Sequence, residues 1–150
     1  MDNFVADGIY VDTPPETVFK RLLNPEDLLV WTEGEEATVD PNPGGIYDVR
    51  RFDGVRVSGK FRALRPAEFI EIESYFWEKG DQRRGPMVLS ITLQPRFEGV
   101  WVLTRLDGID CCDDWKRFAT EVRKEIVGNS VAMKRHICLL YTSPSPRDGL

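Results

Sequence analysis

The sequence is poor in the residue types that most often carry metal sites, disulfides and histidine chemistry. Its 150 residues include three cysteines and one histidine, His136. No CxxC pair and no Cys/His metal spacing occurs, so the common zinc and redox motifs are excluded. Neither a GxGxxG loop nor a P-loop is present, which argues against a phosphate-binding glycine loop. We expect no metal and no other cofactor.

Long apolar runs and an excess of positive charge are also missing. No stretch approaches the roughly 20 apolar residues that a membrane span requires. The net charge is −5, which disfavours binding to a nucleic-acid backbone or to an anionic membrane. The N-terminal residues lack the basic and apolar regions of a signal peptide. These absences predict a cytoplasmic protein with neither nucleic acid nor membrane as a partner.

The cysteines and acidic residues that are present form no recognisable reactive site. Cys111 and Cys112 are neighbours among aspartates, and nearby negative charge disfavours a thiolate. We interpret them as connector residues rather than as a reactive thiol pair. The acidic segment 33–40 lacks the spacing of an EF-hand loop, so a solvated surface is favoured over a calcium site.

The strongest periodic pattern lies between Asp113 and Val127 and predicts an amphipathic helix. Aspartates at its start suit a helix N-terminus, and Gly128-Asn129 suits a C-terminus. The apolar stripe of this helix consists of Trp115, Phe118, Ala119, Val122 and Ile126. Because a stripe led by Trp and Phe requires a broad apolar cover, we expect a sheet to wrap this helix.

The N-terminal part predicts one strand and two short helices. Residues 4–11 have the pattern of a strand. Thr13 and Glu16 then form a predicted capping box around two prolines, at the start of a helix that runs to about Leu23. Residues 25–31 form a second short helix or a turn.

Six strands are predicted between these helices and the long one. Tight turns such as Asp53-Gly54 join consecutive strands as antiparallel hairpins. After a short strand within the acidic segment, the strands cover residues 46–52, 55–64, 69–77, 87–94 and 100–106. In the strand at 69–77, alternation predicts an inward face formed by Ile70, Ile72, Ser74 and Phe76.

The segment 78–86 is charged and contains glycine, Arg83 and Arg84. It suits either the solvated tip of a hairpin or a contact with an anion or a protein, and the hairpin tip is favoured. The element order β-α-α-β-β-β-β-β-β-α predicts an α+β fold in which one antiparallel sheet packs against the helices.

Residues 138–150 differ in character from the rest of the chain. Pro144 and Pro146 cannot continue a helix. The string from Cys138 to Asp148 also resembles the translation of a transposon-type sequencing adapter. We therefore expect the domain to comprise residues 1–137, followed by a disordered tail that derives from such an adapter.

Several motifs in a consistent order resemble the SRPBCC (START-like, helix-grip) superfamily, and within it the homologues of the heat-shock-protein-90 ATPase activator. The matching pieces lie between residues 5 and 127. They are Thr13-Pro14-Pro15-Glu16-x-Val18-Phe19, Leu29-Val30-Trp31, Pro43-Gly44-Gly45, Gly59-x-x-x-x-Leu64-x-Pro66, Leu89-Ser90-Ile91-x-Leu93-x-Pro95, Gly99-Val100-x-Val102 and Trp115-x-x-x-Ala119-x-x-Val122.

The resemblance implies a START-like, Bet v-like fold, in which a curved sheet grips the C-terminal helix around a cavity. In many members of the superfamily this cavity binds apolar or amphipathic small molecules, and in some it carries out cyclase or other chemistry. In the eukaryotic activator, a related domain contacts the chaperone. The resemblance therefore implies a hydrophobic small molecule or a protein as the partner of a monomer or homodimer.

The predicted cavity lining combines the inward faces of the strands with the helical stripe. It consists of Trp31, Tyr47, Phe61, Ile72, Ser74, Phe76, Leu89, Ile91, Val102, Thr104, Trp115, Phe118 and Val122. The same residues would equally fill a solid core. No catalytic residue is assigned, because His136 lies beyond the predicted helix end, where a buried triad is not expected. The leading hypothesis is a non-enzymatic ligand-binding domain; a protein-interaction module and a cyclase- or hydrolase-type enzyme are the alternatives.

Overall fold

A computed structural model describes residues 3–111 and 113–142. Cys112 and residues 143–150 lie outside the described residues. The interpretations of the cysteine pair and of the C-terminal tail depend on them. The elements are β1 (Phe4–Val11), α1 (Pro15–Leu22), α2 (Pro25–Thr32), β2 (Gly34–Val39), β3 (Ile46–Arg51), β4 (Val55–Arg65), β5 (Phe69–Lys79), β6 (Gln82–Arg96), β7 (Gly99–Asp107), a 3₁₀ turn (Ile109–Cys111) and α3 (Trp115–Thr142).

The seven strands form one antiparallel sheet in the order β1-β7-β6-β5-β4-β3-β2. Strands β2 to β7 pair as consecutive hairpins. Strands β1 and β7 lie far apart in the sequence but also pair, from Phe4 opposite Asp107 to Val11 opposite Val100. Helix α3 packs against β1 and α2. The predicted α+β helix-grip fold and its element order are confirmed.

Helix α3 is longer than predicted, because Gly128 and Asn129 do not end it. The C-terminal half that follows buries Ser130, Met133 and Ile137. A glycine within a helix costs only about 1 kcal/mol relative to alanine, and burial of two large apolar side chains outweighs that cost. The helix also includes residues 138–142, which the sequence interpretation assigned to the tail.

Helix α1 begins without the predicted capping box. Pro14 is its N-cap residue and makes no side-chain cap. The hydroxyl of Thr13 is buried and has no hydrogen-bond partner among the described residues. At α2, by contrast, the Asn24 side chain accepts hydrogen bonds from the backbone N–H groups of Glu26 and Asp27, at 2.9 and 3.4 Å.

A β-bulge in β5 reverses the face that each later residue of this strand presents. Ile72 pairs with Leu89 but Tyr75 pairs with Met87, so β5 contains one extra residue at this point. Ser74 adopts a φ of 49° there. Because a one-residue shift inverts the alternation, Tyr75 and Trp77 face inward instead of Ser74 and Phe76.

Most of the charged segment 78–86 belongs to strands β5 and β6. Strand β5 continues to Lys79 and β6 begins at Gln82, so most of the segment is paired strand. Arg84 lies opposite Trp77 in this ladder. Its side chain is therefore positioned by the sheet rather than by a solvated hairpin tip.

Candidate functional site

A cavity of about 120 Å³ lies between the inner face of the sheet and helices α2 and α3. Apolar side chains from both helices, from the end of α1 and from strands β3 to β6 form most of its wall, and β7 contributes Thr104. Eight of the thirteen predicted lining residues contribute to it: Trp31, Tyr47, Phe61, Ile72, Leu89, Ile91, Thr104 and Val122.

Two predicted lining residues lie on the opposite face of the sheet because of the β5 bulge. Ser74 is exposed. Phe76 packs under Arg83, whose guanidinium carbon is 3.9 Å from the ring centroid. Neither residue lines the cavity, so the sequence prediction was wrong for both.

Three other predicted lining residues pack elsewhere in the protein and do not line the cavity. Val102 and Phe118 are each only 1% exposed and belong to the core. The Phe118 ring meets the Trp77 ring edge-on, at a centroid distance of 5.4 Å. Trp115, at the start of α3, lines a shallow groove beside Phe4 and Val5. The cavity therefore lies along the middle and later turns of α3 and not along its first turn.

The predicted lining lacks fifteen of the residues that line the cavity, among them Arg51, Tyr75, Trp77 and Glu125. Two of these four had a signal. Arg51 alternates with Tyr47 along β3, and Glu125 follows Val122 at i+3 on the apolar face of α3. Tyr75 and Trp77 could not be found by alternation, because the bulge is not visible in the sequence.

One end of the cavity contains an ion pair. The Arg51 guanidinium donates through Nη1 to the Glu125 carboxylate and through Nη2 to Asp53. The Trp77 indole Nε1 also donates to Glu125, at 3.5 Å. Burial opposes the charge of Arg51, but the two carboxylates outweigh this effect and raise the pKa of its guanidinium. Glu125 is thereby bound by two donors and Arg51 by two acceptors.

The two cavity tyrosines keep their hydroxyls protonated. Burial raises the pKa of Tyr47 to about 12 and raises the pKa of Tyr75 well above its usual value. No hydrogen bond joins either hydroxyl to another described residue. The Nε of Arg51 is fully buried without a described partner. This end of the cavity therefore has more donors than the protein satisfies.

Gly59 lets the strands that carry these two tyrosines approach each other closely. It pairs with Tyr47 across β3 and β4. A Cβ atom at this position would be 2.5 Å from the Ile72 Cγ2 atom and 3.4 Å from the Tyr75 Cα atom. Because such a contact is sterically excluded, glycine is required for the sheet to approach this closely beside the cavity.

The single histidine connects the two helices beside the cavity, so its placement beyond the helix end was wrong. His136 Nε2 lies 2.8 Å from Asp27 Oδ1, and the side chains are 17% and 8% exposed. Asp27 also accepts from Arg21 Nη1 at 3.2 Å. The His136 ring lies 5.8 Å from that of the cavity residue Trp31. The contact fixes the C-terminal half of α3 against α2.

Arg84 does not form the exposed patch that the interaction hypothesis expected. It is 9% exposed, binds the Asp114 carboxylate through both Nη atoms and lies 5.1 Å from the Phe118 ring centroid. The hydrogen bond from Arg84 lowers the pKa of Asp114. Arg84 thus anchors the start of α3 to the sheet.

Within residues 3–111 and 113–142, no helix is both long and apolar enough to cross a membrane. The same residues contain no group of three or more His, Cys, Asp or Glu side chains placed to hold a metal ion.

An antiparallel sheet that surrounds a long terminal helix, with an apolar cavity between them, defines a helix-grip protein. The family model for activator of Hsp90 ATPase homolog 1-like proteins matches residues 12–129. The chain belongs to this family. No curated protein matches the sequence significantly.

Solved structures share the fold at low sequence identity. Protein MLL2253 from Mesorhizobium loti has a TM-score of 0.75 and 18% identity, over 93% of this chain and 98% of its own. Protein CV1439 from Chromobacterium violaceum has a TM-score of 0.72 and 22% identity, over 91% and 98%. The Aha1 dimer from Colwellia psychrerythraea has a TM-score of 0.65 and 15% identity, over 90% and 97%. Family membership supports a ligand-binding or interaction domain in general.

Proposed function

We propose that this protein binds a small apolar or amphipathic molecule in the cavity between its sheet and α3. The observation that carries the proposal is the cavity itself, about 120 Å³ of space surrounded mainly by apolar side chains. A solid core would fill this volume, because protein interiors pack as densely as organic crystals. The bulge in β5 turns Tyr75 and Trp77 towards this space.

Apolar burial would supply most of the binding free energy. A ligand of aromatic side-chain size buries roughly 150–250 Å². At ~25 cal/mol per Å² this corresponds to about 4–6 kcal/mol, or a Kd between about 1 mM and tens of micromolar. Association costs lower the affinity further, so the expected binding is weak unless polar contacts add to it.

The geometry favours binding over catalysis by a cavity carboxylate. Glu125 is the one carboxylate among the cavity-lining residues, and it is held by Arg51 and by Trp77. The cavity-lining residues include no histidine and no second carboxylate that would complete an acid/base pair. The arrangement therefore supports a structural and orienting role for Glu125.

Filling the cavity tests the proposal. Thr104→Phe places a ring in the cavity, whereas Thr38→Phe makes the same change at an exposed position of β2. In a ¹H–¹⁵N NMR titration with toluene, the native protein and Thr38→Phe should show saturable shifts around the cavity, and Thr104→Phe should lose them. Melting temperatures verify that both variants fold, since overpacking costs about 1–3 kcal/mol. Equal toluene binding by a folded Thr104→Phe protein would contradict the proposal.

A further inference from the structure

The size of the cavity restricts what it holds. Its volume of about 120 Å³ is close to that of an engineered cavity of about 150 Å³ that binds benzene. Ring-bearing residues, Trp31, Tyr47, Phe61, Tyr75 and Trp77, account for much of the wall, and aromatic side chains favour edge-on or offset contacts with another ring. One substituted ring therefore fits this space.

The charges at the polar end argue against an anionic occupant. Arg51 and Glu125 are the two charged residues among those that line the cavity, and they form an ion pair. Asp53 binds the same guanidinium from outside the cavity. One positive charge thus faces two negative charges, and an anionic ligand would be desolvated without a net positive partner.

The unsatisfied groups at the same end favour a hydrogen-bond acceptor. Tyr47 and Tyr75 both line the cavity, and no hydrogen bond joins either hydroxyl to another described residue. Arg51 and Trp77 both donate to the same Glu125 oxygen, Oε1. A ligand oxygen would accept from these hydroxyls and from the Arg51 Nε, which is buried without a described partner.

We infer that the ligand is a neutral molecule of about one substituted ring that presents a carbonyl or similar acceptor to Tyr47 and Tyr75. This inference rests on the proposed function and names its ligand class. The rings around the cavity hold the apolar body of the ligand, and the tyrosine hydroxyls orient it by its acceptor.

Three probes of nearly the same flat shape test the inference by calorimetry at pH 7. Acetophenone is neutral and has a carbonyl acceptor, α-methylstyrene replaces that carbonyl with a methylene group, and benzoate adds a negative charge. The variants are Tyr47→Phe, Tyr75→Phe and the double variant. Tyr10→Phe is the matched control, because Tyr10 lies on β1 and its hydroxyl donates to the Arg96 carbonyl, away from the cavity.

The double variant should weaken acetophenone binding about tenfold, the equivalent of roughly one or two lost hydrogen bonds. Its binding of α-methylstyrene should stay within about twofold of the native value, and Tyr10→Phe should leave both affinities unchanged. Benzoate should bind the native protein at least about tenfold more weakly than acetophenone does. If the double variant does not fold, the single variants provide the test, with a loss of about threefold each.

The proposed function and the inferred ligand class are contradicted by different results. If the native protein binds none of the probes, the proposed function itself is overturned. If it binds α-methylstyrene but tyrosine removal leaves acetophenone unaffected, or if benzoate binds as tightly as acetophenone, the cavity binds ligands but the inferred ligand class is wrong.

Discussion

Removal of the Tyr47 hydroxyl should make the protein less sensitive to alkaline pH. Burial raises the pKa of Tyr47 from 10.0 to about 12, so folding favours the neutral phenol over the phenolate. The resulting stabilisation is fully present below pH 10 and is lost as the pH rises towards 12, because the unfolded chain ionises first. Tyr47→Phe keeps the ring and removes this ionisation.

The size of the effect follows from the two pKa values. At pH 11 an unfolded tyrosine is mostly ionised, whereas Tyr47 in the folded protein is mostly neutral. Each pKa unit is worth about 1.36 kcal/mol, and pH 11 lies one unit above the unfolded value. The native protein should therefore lose about 1.4 kcal/mol relative to Tyr47→Phe between pH 8 and pH 11.

Urea unfolding of both proteins at pH 8 and pH 11 measures this difference. The lysines and the other distant titrating groups occur in both proteins, so their contributions cancel to first order. An identical stability gap at the two pH values would show that water or a partner reaches the Tyr47 hydroxyl in the folded state. That result would refute the reasoning that burial keeps the Tyr47 hydroxyl neutral in the folded protein.

Two further predictions concern the anchors of α3. Asp114→Asn should lower the melting temperature at pH 6, because Arg84 lowers the pKa of Asp114 and so stabilises its carboxylate in the folded protein. The difference in melting temperature from the native protein should narrow as the pH falls below 3.8, where protonation of Asp114 removes this stabilisation. A difference that is constant from pH 6 to pH 3 would contradict this prediction. His136→Ala should lower the free energy of unfolding in urea by about 1–3 kcal/mol, because it leaves the buried Asp27 carboxylate with one partner fewer. The control is Arg135→Ala, at an exposed neighbouring position, which should lower it by less than about 0.5 kcal/mol.

The regular parts of the fold were predictable because hydrophobic periodicity is a local property of the chain. Alternation along β5 placed Ile70 and Ile72 inward, and the helical spacing of Phe118 and Val122 identified the buried face of α3. Tight-turn residues such as Asp53-Gly54 predicted the antiparallel hairpins. The irregular parts were not predictable in this way. The bulge at Ser74 depends on how β5 pairs with both neighbouring strands, and one extra residue there exchanged two predicted cavity residues for Tyr75 and Trp77.

Sequence alone determined the element order, the antiparallel sheet and the apolar face of the terminal helix, because each depends on residues close together along the chain. Only the tertiary structure decided that α3 continues past Gly128, that His136 meets Asp27 and that Arg51 meets Glu125. These contacts join residues 74 or more positions apart, and their free energy comes from burial that no local segment provides. Whether the interior is filled or hollow was decided at the same level, because a cavity depends on how several elements pack together.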